Sequence, residues 1–237
     1  MWTPTALASE ARPAAGSAWR AVEHQHTAST RKLVDSLGEQ GVLEDILEAS
    51  KPGYPAAAVH LHYLLKTPFR YFPPAAHGSR FRRAFDGRGV FYCAQAIRTA
   101  LAEFSYWRRR FIAASSGTPL PRNQESLTVF SVAYATPRLI DLTLPPFARD
   151  RRLWTHPHDY TATQSLADAA RRADIGAIRY ASVRDPEQGI NLALLAPDVF
   201  TRKSPTAQQT WYLYLGEAEA NCMRAGRPGE AFTFVSA

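Results

Sequence analysis

The sequence predicts an α+β fold, in which a mixed β-sheet forms the core and helices flank it. Segments rich in β-branched and aromatic residues outnumber the amphipathic helical patterns. The helical patterns lie unevenly between these segments, so the regular alternation of strand and helix that is typical of doubly wound folds is absent. With 237 residues, 46% of them hydrophobic and 21% charged, the chain has an ordinary globular composition.

The first fifty residues contain two different patterns. Residues 1–17 are rich in Ala, Pro and Ser, which is typical of a loosely held arm. From about residue 18 to 50, apolar residues recur at spacings of three and four, which predicts helix, and Gly38 and Gly41 are expected to break it in two. The four acids of LGEQGVLEDILEAS form either a solvated helix face or a contact surface.

Two further helices and a series of strands are predicted beyond this extension. The clearest helix is 94–115, where apolar side chains recur on one face, and a helix with a Thr cap is expected at 161–173. The segment 57–65 fits either a strand or a short helix, and 137–160 is a connection rich in Pro and Arg. The expected strands are 89–94, 127–135, 177–185, 190–197, 208–216 and 231–236.

The charge of the chain is strongly positive. There are 28 Lys and Arg against 21 Asp and Glu, a formal net charge of +7, and 24 of the cations are Arg. Because guanidinium groups hold phosphate and carboxylate through paired hydrogen bonds, this excess favours an anionic partner. A GC-rich genome would also produce Arg in place of Lys, and both explanations stay open at this point.

Neither a disulfide framework nor a membrane segment is predicted. Cys93 and Cys222 are the only two cysteines, which favours a reducing compartment. No stretch approaches the roughly 18 apolar residues of a membrane span, and residues 1–16 lack a signal-peptide pattern. We expect a soluble, cytoplasmic protein.

Several common site motifs are absent from the sequence. There is no glycine-rich phosphate loop, no dinucleotide fingerprint and no nucleophile elbow. The pairs His60/His62 and His156/His158 have no carboxylate or Cys at ligand spacing, so no metal site is predicted. Cys93 lies in an expected strand and is interpreted as a small buried hydrophobe, not a nucleophile.

The stretch from Arg70 to Arg110 is the most informative part of the chain. It holds nine arginines interleaved with Phe and Tyr, a composition that suits either a nucleic-acid groove or a nucleotide-shaped pocket. The acid Glu103 interrupts it in the middle of a helix, on an otherwise apolar turn. Such a group is costly unless it is functional or paired with an arginine, and both readings stay open from the residues alone.

Four strings in this order resemble the RES domain family. The resemblance covers about residues 55–200, and the segment before it is similar to the amino-terminal extension of longer family members. It therefore implies an arm and helical extension over 1–50 and a RES domain over 51–237. The strings are PFRY (68–71), GSRF (78–81), GVFYCAQAIRTALAE (89–103) and YASVRDPEQGINLALLAP (180–197).

The resemblance implies a fold similar to that of ADP-ribosyltransferases and an enzyme that degrades NAD+. The expected reaction cleaves the nicotinamide–ribose bond, by phosphorolysis to nicotinamide and ADP-ribose 1″-phosphate. NAD+ is then the substrate, inorganic phosphate the co-substrate, and no cofactor is expected. The alternatives are NAD+ glycohydrolysis, ADP-ribosyl transfer, or a basic nucleic-acid-binding module. The family also implies a toxin that is neutralised by an Xre-like antitoxin, and self-association is a further alternative.

The resemblance assigns roles to seven residues. Glu103, Arg70 and Ser182 are the expected catalytic residues. The expected substrate-binding residues are Arg80, Tyr71, Tyr92 and Asn191. Bond cleavage passes through an oxocarbenium-like state, and the Glu103 carboxylate suits both the ribose 2′-hydroxyl and the positive charge that develops. Arg70 and Arg80 would hold the pyrophosphate, and the ring of Tyr92 would face the nicotinamide.

Overall fold

The computed structural model describes residues 2–24, 34–70, 78–115 and 117–235, and an eight-stranded mixed sheet lies at its centre. The strands are β1 (Arg12–Glu23), β2 (Phe91–Ala94), β3 (Glu125–Asp141), β4 (Ala177–Ala181), β5 (Ile190–Leu194), β6 (Ala207–Leu215), β7 (Glu219–Arg224) and β8 (Ala231–Val235). The helices are α1 (Pro4–Glu10), α2 (Leu37–Ala49), α3 (Tyr63–Lys66), α4 (Ile97–Ala113), α5 (Arg151–Trp154) and α6 (Thr161–Arg172). The α+β prediction, a mixed sheet with flanking helices, is confirmed.

Five of the strands form a closed ring. The pairings β1–β2, β2–β5, β5–β4, β4–β3 and β3–β1 return to their starting point, and β6, β7 and β8 extend the sheet beyond β3. Among these pairs β3 and β4 run parallel and the others antiparallel. The β1–β2 pairing is limited to Trp19 opposite Ala94, so the two strands diverge on either side of that point.

The prediction of a loose arm at residues 1–17 is wrong. Residues 4–10 form α1, whose Leu7 is fully buried in the core, and β1 pairs with β3 from Arg12 opposite Leu139 to Glu23 opposite Leu127. The expected helix at the start of 18–50 is wrong for the same reason, because residues 18–23 belong to this strand. Long-range pairing overrides the weak strand propensity of an Ala-rich segment.

A small residue in β1 makes this pairing possible. Gly16 lies opposite Tyr134, and a Cβ on Gly16 would come within 3.3 Å of the Tyr134 hydroxyl. Small side chains on β1 therefore leave room for the ring of Tyr134 on the neighbouring strand.

The rest of the helical prediction at 25–33 lies outside the described residues.

The second half of the extension is helical as expected. α2 begins with a capping box, in which Ser36 Oγ accepts the Glu39 N–H at 3.1 Å and the Glu39 carboxylate accepts the Ser36 N–H at 3.2 Å. Gly38 and Gly41 lie inside this helix and do not break it, which corrects the prediction. None of its residues is buried, so α2 is an exposed helix.

Other elements differ from prediction in detail. The ambiguous segment 57–65 is a 3₁₀ turn at Ala56–Ala58 followed by the start of α3, and β7 was not expected. The N-cap of α6 is Tyr160, with no side-chain bond to the helix, so the expected Thr cap is wrong. No helix in the described ranges is long and apolar enough to cross a bilayer.

Helix α4 lies over the sheet and anchors the site. Its Leu101 and Ala102 are buried with Val129 and Trp211 in one of three hydrophobic clusters. Burial of these side chains fixes the rotation of the helix about its axis. The following residue, Glu103, is thereby directed to the cavity described below.

Candidate active site

A cavity of about 270 Å³ opens between α4 and the ends of the ring strands. It lies where β1 and β2 diverge, and its walls come from β1, β2, β4, β5 and α4. Four of the seven expected site residues line it, namely Arg80, Tyr92, Glu103 and Asn191. A fifth, Ser182, is 3% exposed and contacts Glu103 directly.

The carboxylate of Glu103 is held through one of its two oxygens. Its Oε1 accepts a hydrogen bond from the Ser182 hydroxyl at 2.6 Å and another from the Asn191 amide at 2.7 Å. Among the described residues Oε2 has no hydrogen-bond partner, and it is not a buried atom. One oxygen is therefore fixed by neutral donors while the other is available to a molecule in the cavity.

Backbone donors determine the direction of the Ser182 hydroxyl. Its oxygen accepts the N–H groups of Arg184 at 3.2 Å and Asp185 at 3.0 Å. Because these bonds occupy the lone pairs, the hydroxyl proton goes to Glu103. Ser182 is thus a hydrogen-bond donor that positions the Glu103 carboxylate.

The loop that carries Ser182 is fastened to the first turn of α4. The buried carboxylate of Asp185 accepts hydrogen bonds from Thr99 Oγ1 at 2.7 Å and from Arg98. Gly189 closes the loop, and a Cβ there would lie 2.1 Å from Thr99 Oγ1. Since Thr99 lies one helical turn before Glu103, this contact sets the distance between the loop and the carboxylate.

Tyr92 provides a neutral phenol on the wall of the cavity. Its hydroxyl lies 2.7 Å from Ser79 Oγ and accepts the Phe81 N–H at 3.0 Å. Burial raises the pKa of Tyr92 above its ordinary value, so the phenol is protonated at neutral pH. The same strand carries Cys93, where burial raises the pKa of the thiol to about 12. A thiol with that pKa is no nucleophile at neutral pH, in agreement with its interpretation as a buried hydrophobe.

Arg80 lies in the cavity wall, and no described residue supplies it with a carboxylate partner. Its guanidinium donates to the carbonyl oxygens of Trp154 at 2.7 Å and His156 at 3.1 Å, and lies 4.8 Å from the centre of the Tyr160 ring. These neutral contacts orient the group and leave its charge uncompensated.

The structure does not bring Arg70 into the cavity. Its side chain is 5% exposed and donates to Glu48 at 2.7 Å, to the Tyr54 hydroxyl at 3.1 Å and to the Pro52 carbonyl. Arg70 therefore joins α2 and the segment after it to the main body. Tyr71, its expected neighbour in the site, lies outside the described residues.

Arg20 on β1 is a cavity residue that sequence reasoning missed. Its guanidinium donates to the Tyr92 carbonyl at 2.9 Å and lies 4.9 Å from the centre of the Phe91 ring. Burial lowers the pKa of Arg20, but a guanidinium stays protonated at neutral pH. The sequence does contain a sign of this residue, because Trp19 and Arg20 are two large side chains in a segment of small ones. Since the segment was interpreted as an arm followed by a helix, Arg20 was not considered as a site residue.

Three guanidinium groups therefore line the same cavity as one carboxylate. Arg184 is the third, and it donates to the Pro157 carbonyl and lies 3.7 Å from the centre of the Tyr106 ring. Of the described residues, none supplies a carboxylate that pairs with Arg20, Arg80 or Arg184. Glu103 is the single acid among the described residues that line the cavity. The site is thus complementary to an anion that also presents a hydrogen-bond donor to a carboxylate.

The sequence matches the model of one known protein family. The model of the RES domain matches residues 55–215, more than half of the chain. The chain belongs to the RES domain family. Glu103, Ser182 and Asn191 lie inside the RES-matched range, whereas Arg20 lies before it.

The similarity of this chain to individual proteins of known structure is low in sequence identity. One solved structure with a similar chain is the crystal structure of the M. tuberculosis MbcT–MbcA toxin–antitoxin complex. Identity is 13%, the alignment covers 85% of this RES-domain chain and 90% of that chain, and the TM-score is 0.49. No curated protein matches the sequence.

Within the described ranges no group of three or more His, Cys, Asp or Glu side chains is arranged to hold a metal ion. The contacts of the cavity are those of guanidinium, amide, hydroxyl and carboxylate groups.

Proposed function

We propose that the protein cleaves the nicotinamide–ribose bond of NAD+. The observation that carries this proposal is the pairing of a fixed carboxylate, Glu103, with three guanidinium groups that have neutral contacts. NAD+ has a pyrophosphate for guanidinium groups to hold and a ribose hydroxyl to donate to Glu103 Oε2. No other group in the cavity competes for that oxygen.

The geometry suits a reaction in which positive charge develops on the ribose. As the bond from C1″ to the nicotinamide nitrogen breaks, its electron pair leaves with the nitrogen and neutral nicotinamide is released. The ribose then carries oxocarbenium character, which the Glu103 carboxylate stabilises by its charge and by a hydrogen bond from the 2″-hydroxyl of the same ribose. Ser182 and Asn191 keep the carboxylate in place through this change.

Inorganic phosphate is the acceptor that we propose. A phosphate oxygen forms the new bond to C1″, and the product is ADP-ribose 1″-phosphate. The support is chemical, since Arg20, Arg80 and Arg184 all line the cavity and a guanidinium group holds phosphate through paired hydrogen bonds. Guanidinium groups that hold phosphate would also position it for attack on C1″. They would not position a water molecule in the same way, because water carries no negative charge.

We expect purified protein to consume NAD+ faster when phosphate is present. Mass spectrometry of the products should show nicotinamide and ADP-ribose 1″-phosphate. Turnover to plain ADP-ribose at a rate independent of phosphate would contradict phosphorolysis and favour glycohydrolysis on the same site. Folded protein, free of partner, that consumes no NAD+ would contradict the enzymatic proposal altogether.

The nucleic-acid-binding alternative is weaker in the light of the structure. Several arginines of the 70–110 stretch are engaged in ion pairs and do not form one free basic face. These pairs are Arg83–Asp168, Arg88–Asp86 and Arg108–Glu125, each at 2.7 Å. Binding to nucleic acid would in addition depend steeply on salt, which a titration measures directly.

We propose further that the chain is the toxin of a toxin–antitoxin pair. Loss of NAD+ would stop growth, so the host must inhibit the enzyme. A cavity lined by three uncompensated guanidinium groups fits the carboxyl terminus of an Xre-like antitoxin, which would cover the entrance.

Inhibition of the toxin by its antitoxin can be tested by measuring the growth of cells. We expect arrest with the gene alone, growth with the gene and its neighbour, and arrest again when the neighbour lacks its carboxyl-terminal residues. Healthy growth with the gene alone, at confirmed expression, would contradict the toxin proposal and leave a housekeeping enzyme.

A further inference from the structure

The cavity wall formed by α4 leads from the interior to the surface. Ala100, Glu103, Phe104 and Trp107 lie on successive turns of one face and all line the cavity. Ala100 is 7% exposed, whereas Trp107 is 45% exposed. Trp107 therefore lies at the mouth, about 6 Å along the helix axis from Glu103 at a rise of about 1.5 Å per residue.

The surroundings of Trp107 suit a planar ring next to phosphate. The guanidinium of Arg184 lies 5.9 Å from the indole centre and that of Arg110 lies 5.7 Å from it. Tyr106 meets the indole edge to face at 5.2 Å. An exposed indole with positive neighbours is the combination by which proteins stack nucleobases beside a phosphate backbone.

The size of the cavity requires a binding surface outside it. A volume of about 270 Å³ lies just below the range of about 300–1,000 Å³ typical of drug-sized ligands. Such a volume suits the nicotinamide riboside portion of NAD+ better than the whole dinucleotide. If the ribose contacts Glu103, the pyrophosphate would pass Arg184 and the adenosine would extend beyond the mouth.

We propose that Trp107 stacks the adenine ring of the substrate and makes the enzyme select a dinucleotide over a mononucleotide. This inference rests on the proposed cleavage of NAD+. Arg184 lies between the two ends of the substrate, with its backbone N–H on Ser182 Oγ and its side chain on Tyr106 beside the indole.

The test compares NAD+ with nicotinamide mononucleotide, which has the same scissile bond and no adenylate. The measured quantity is the ratio of kcat/KM for NAD+ to kcat/KM for the mononucleotide. Trp107→Ala is expected to lower this ratio about tenfold, the loss of about one stacked base. Trp107→Phe keeps an aromatic face and should restore most of it.

A matched control is available on the same helix. Phe111 lies one turn beyond Trp107, is 70% exposed and does not line the cavity, so Phe111→Ala should leave the ratio at its wild-type value. An unchanged ratio in Trp107→Ala would overturn the inference. Equal loss for both substrates would also overturn it, because it would place the indole against the nicotinamide or in a structural role.

Failure of the proposed function is distinguishable from failure of this inference. If the wild-type protein cleaves neither substrate, calorimetric titration with AMP shows whether the adenine subsite exists. Affinity for AMP that falls about tenfold in Trp107→Ala, and not in Phe111→Ala, would support an adenine subsite without the reaction. Equal affinity in both variants, or no binding to the wild type, would overturn it.

Discussion

Replacement of Glu103 by Gln is expected to slow NAD+ cleavage by on the order of a hundredfold or more and to leave the fold intact. Glutamine has the size of glutamate, and its amide oxygen can accept the bonds that Oε1 accepts from Ser182 and Asn191. The variant lacks the negative charge that stabilises the developing cation. A hundredfold loss corresponds to about 2.7 kcal/mol of transition-state stabilisation.

The measurement is kcat for NAD+ with saturating substrate, beside thermal unfolding to show that the fold is kept. Glu187→Gln is the matched control, because Glu187 is a carboxylate of the Ser182 loop that is 72% exposed and does not line the cavity. Near wild-type turnover of the Glu103 variant would mean that this carboxylate is only a structural partner of Ser182 and Asn191.

The second prediction with a large effect is that substitution of Arg20 lowers activity, whereas substitution of Arg70 lowers stability. Arg20→Ala is expected to lower kcat/KM for NAD+ by between about tenfold and a hundredfold, since a hydrogen bond to a charged group is worth about 1.5–3 kcal/mol. Arg20→Lys should recover only part of this loss, because an ammonium group lacks the fork that holds a phosphate in two places. Arg70→Ala should instead lower the Tm and leave kcat/KM near the wild-type value, since Arg70 contacts Glu48, Pro52 and Tyr54.

The pair of variants is informative in either direction. Kinetics and thermal unfolding are measured on both proteins under identical conditions. The opposite result is that Arg70→Ala loses activity with an unchanged Tm while Arg20→Ala stays active. It would mean that Arg70 binds the anion, as the resemblance implied. That result would require α2 and Arg70 to move relative to the cavity.

Much of the site was accessible from sequence because its parts lie in short, regular elements. Glu103 follows an apolar stripe on a helix of strong amphipathic pattern, and Asn191 lies in a strand of continuous apolar residues. Their side chains project to one cavity because α4 lies over β5, as an α+β arrangement predicts. Ser182 could be placed near them only through the resemblance, since a Ser after a strand has no distinctive local pattern.

Arg20 was not accessible from sequence in the same way. The strand that carries it is rich in Ala, Gly and Ser, and its conformation is imposed by β3, more than one hundred positions later in the chain. The position of Arg70 outside the cavity could not be read from the sequence for a related reason. An arginine before an aromatic residue looks the same in sequence whether it faces a substrate or Glu48, and only the tertiary contact distinguishes the two.

The closed ring of strands has a consequence for the order of events during synthesis. β1 is made well before β2 and β3, so 72 positions separate Arg20 from Tyr92, whose carbonyl it contacts. Glu103 contacts residues 79 and 88 positions further on, Ser182 and Asn191. Such distant contacts form late in folding. The nascent chain therefore has no assembled cavity until Ser182 and Asn191 have been made, and a partner that recognises the cavity has a target only after that point.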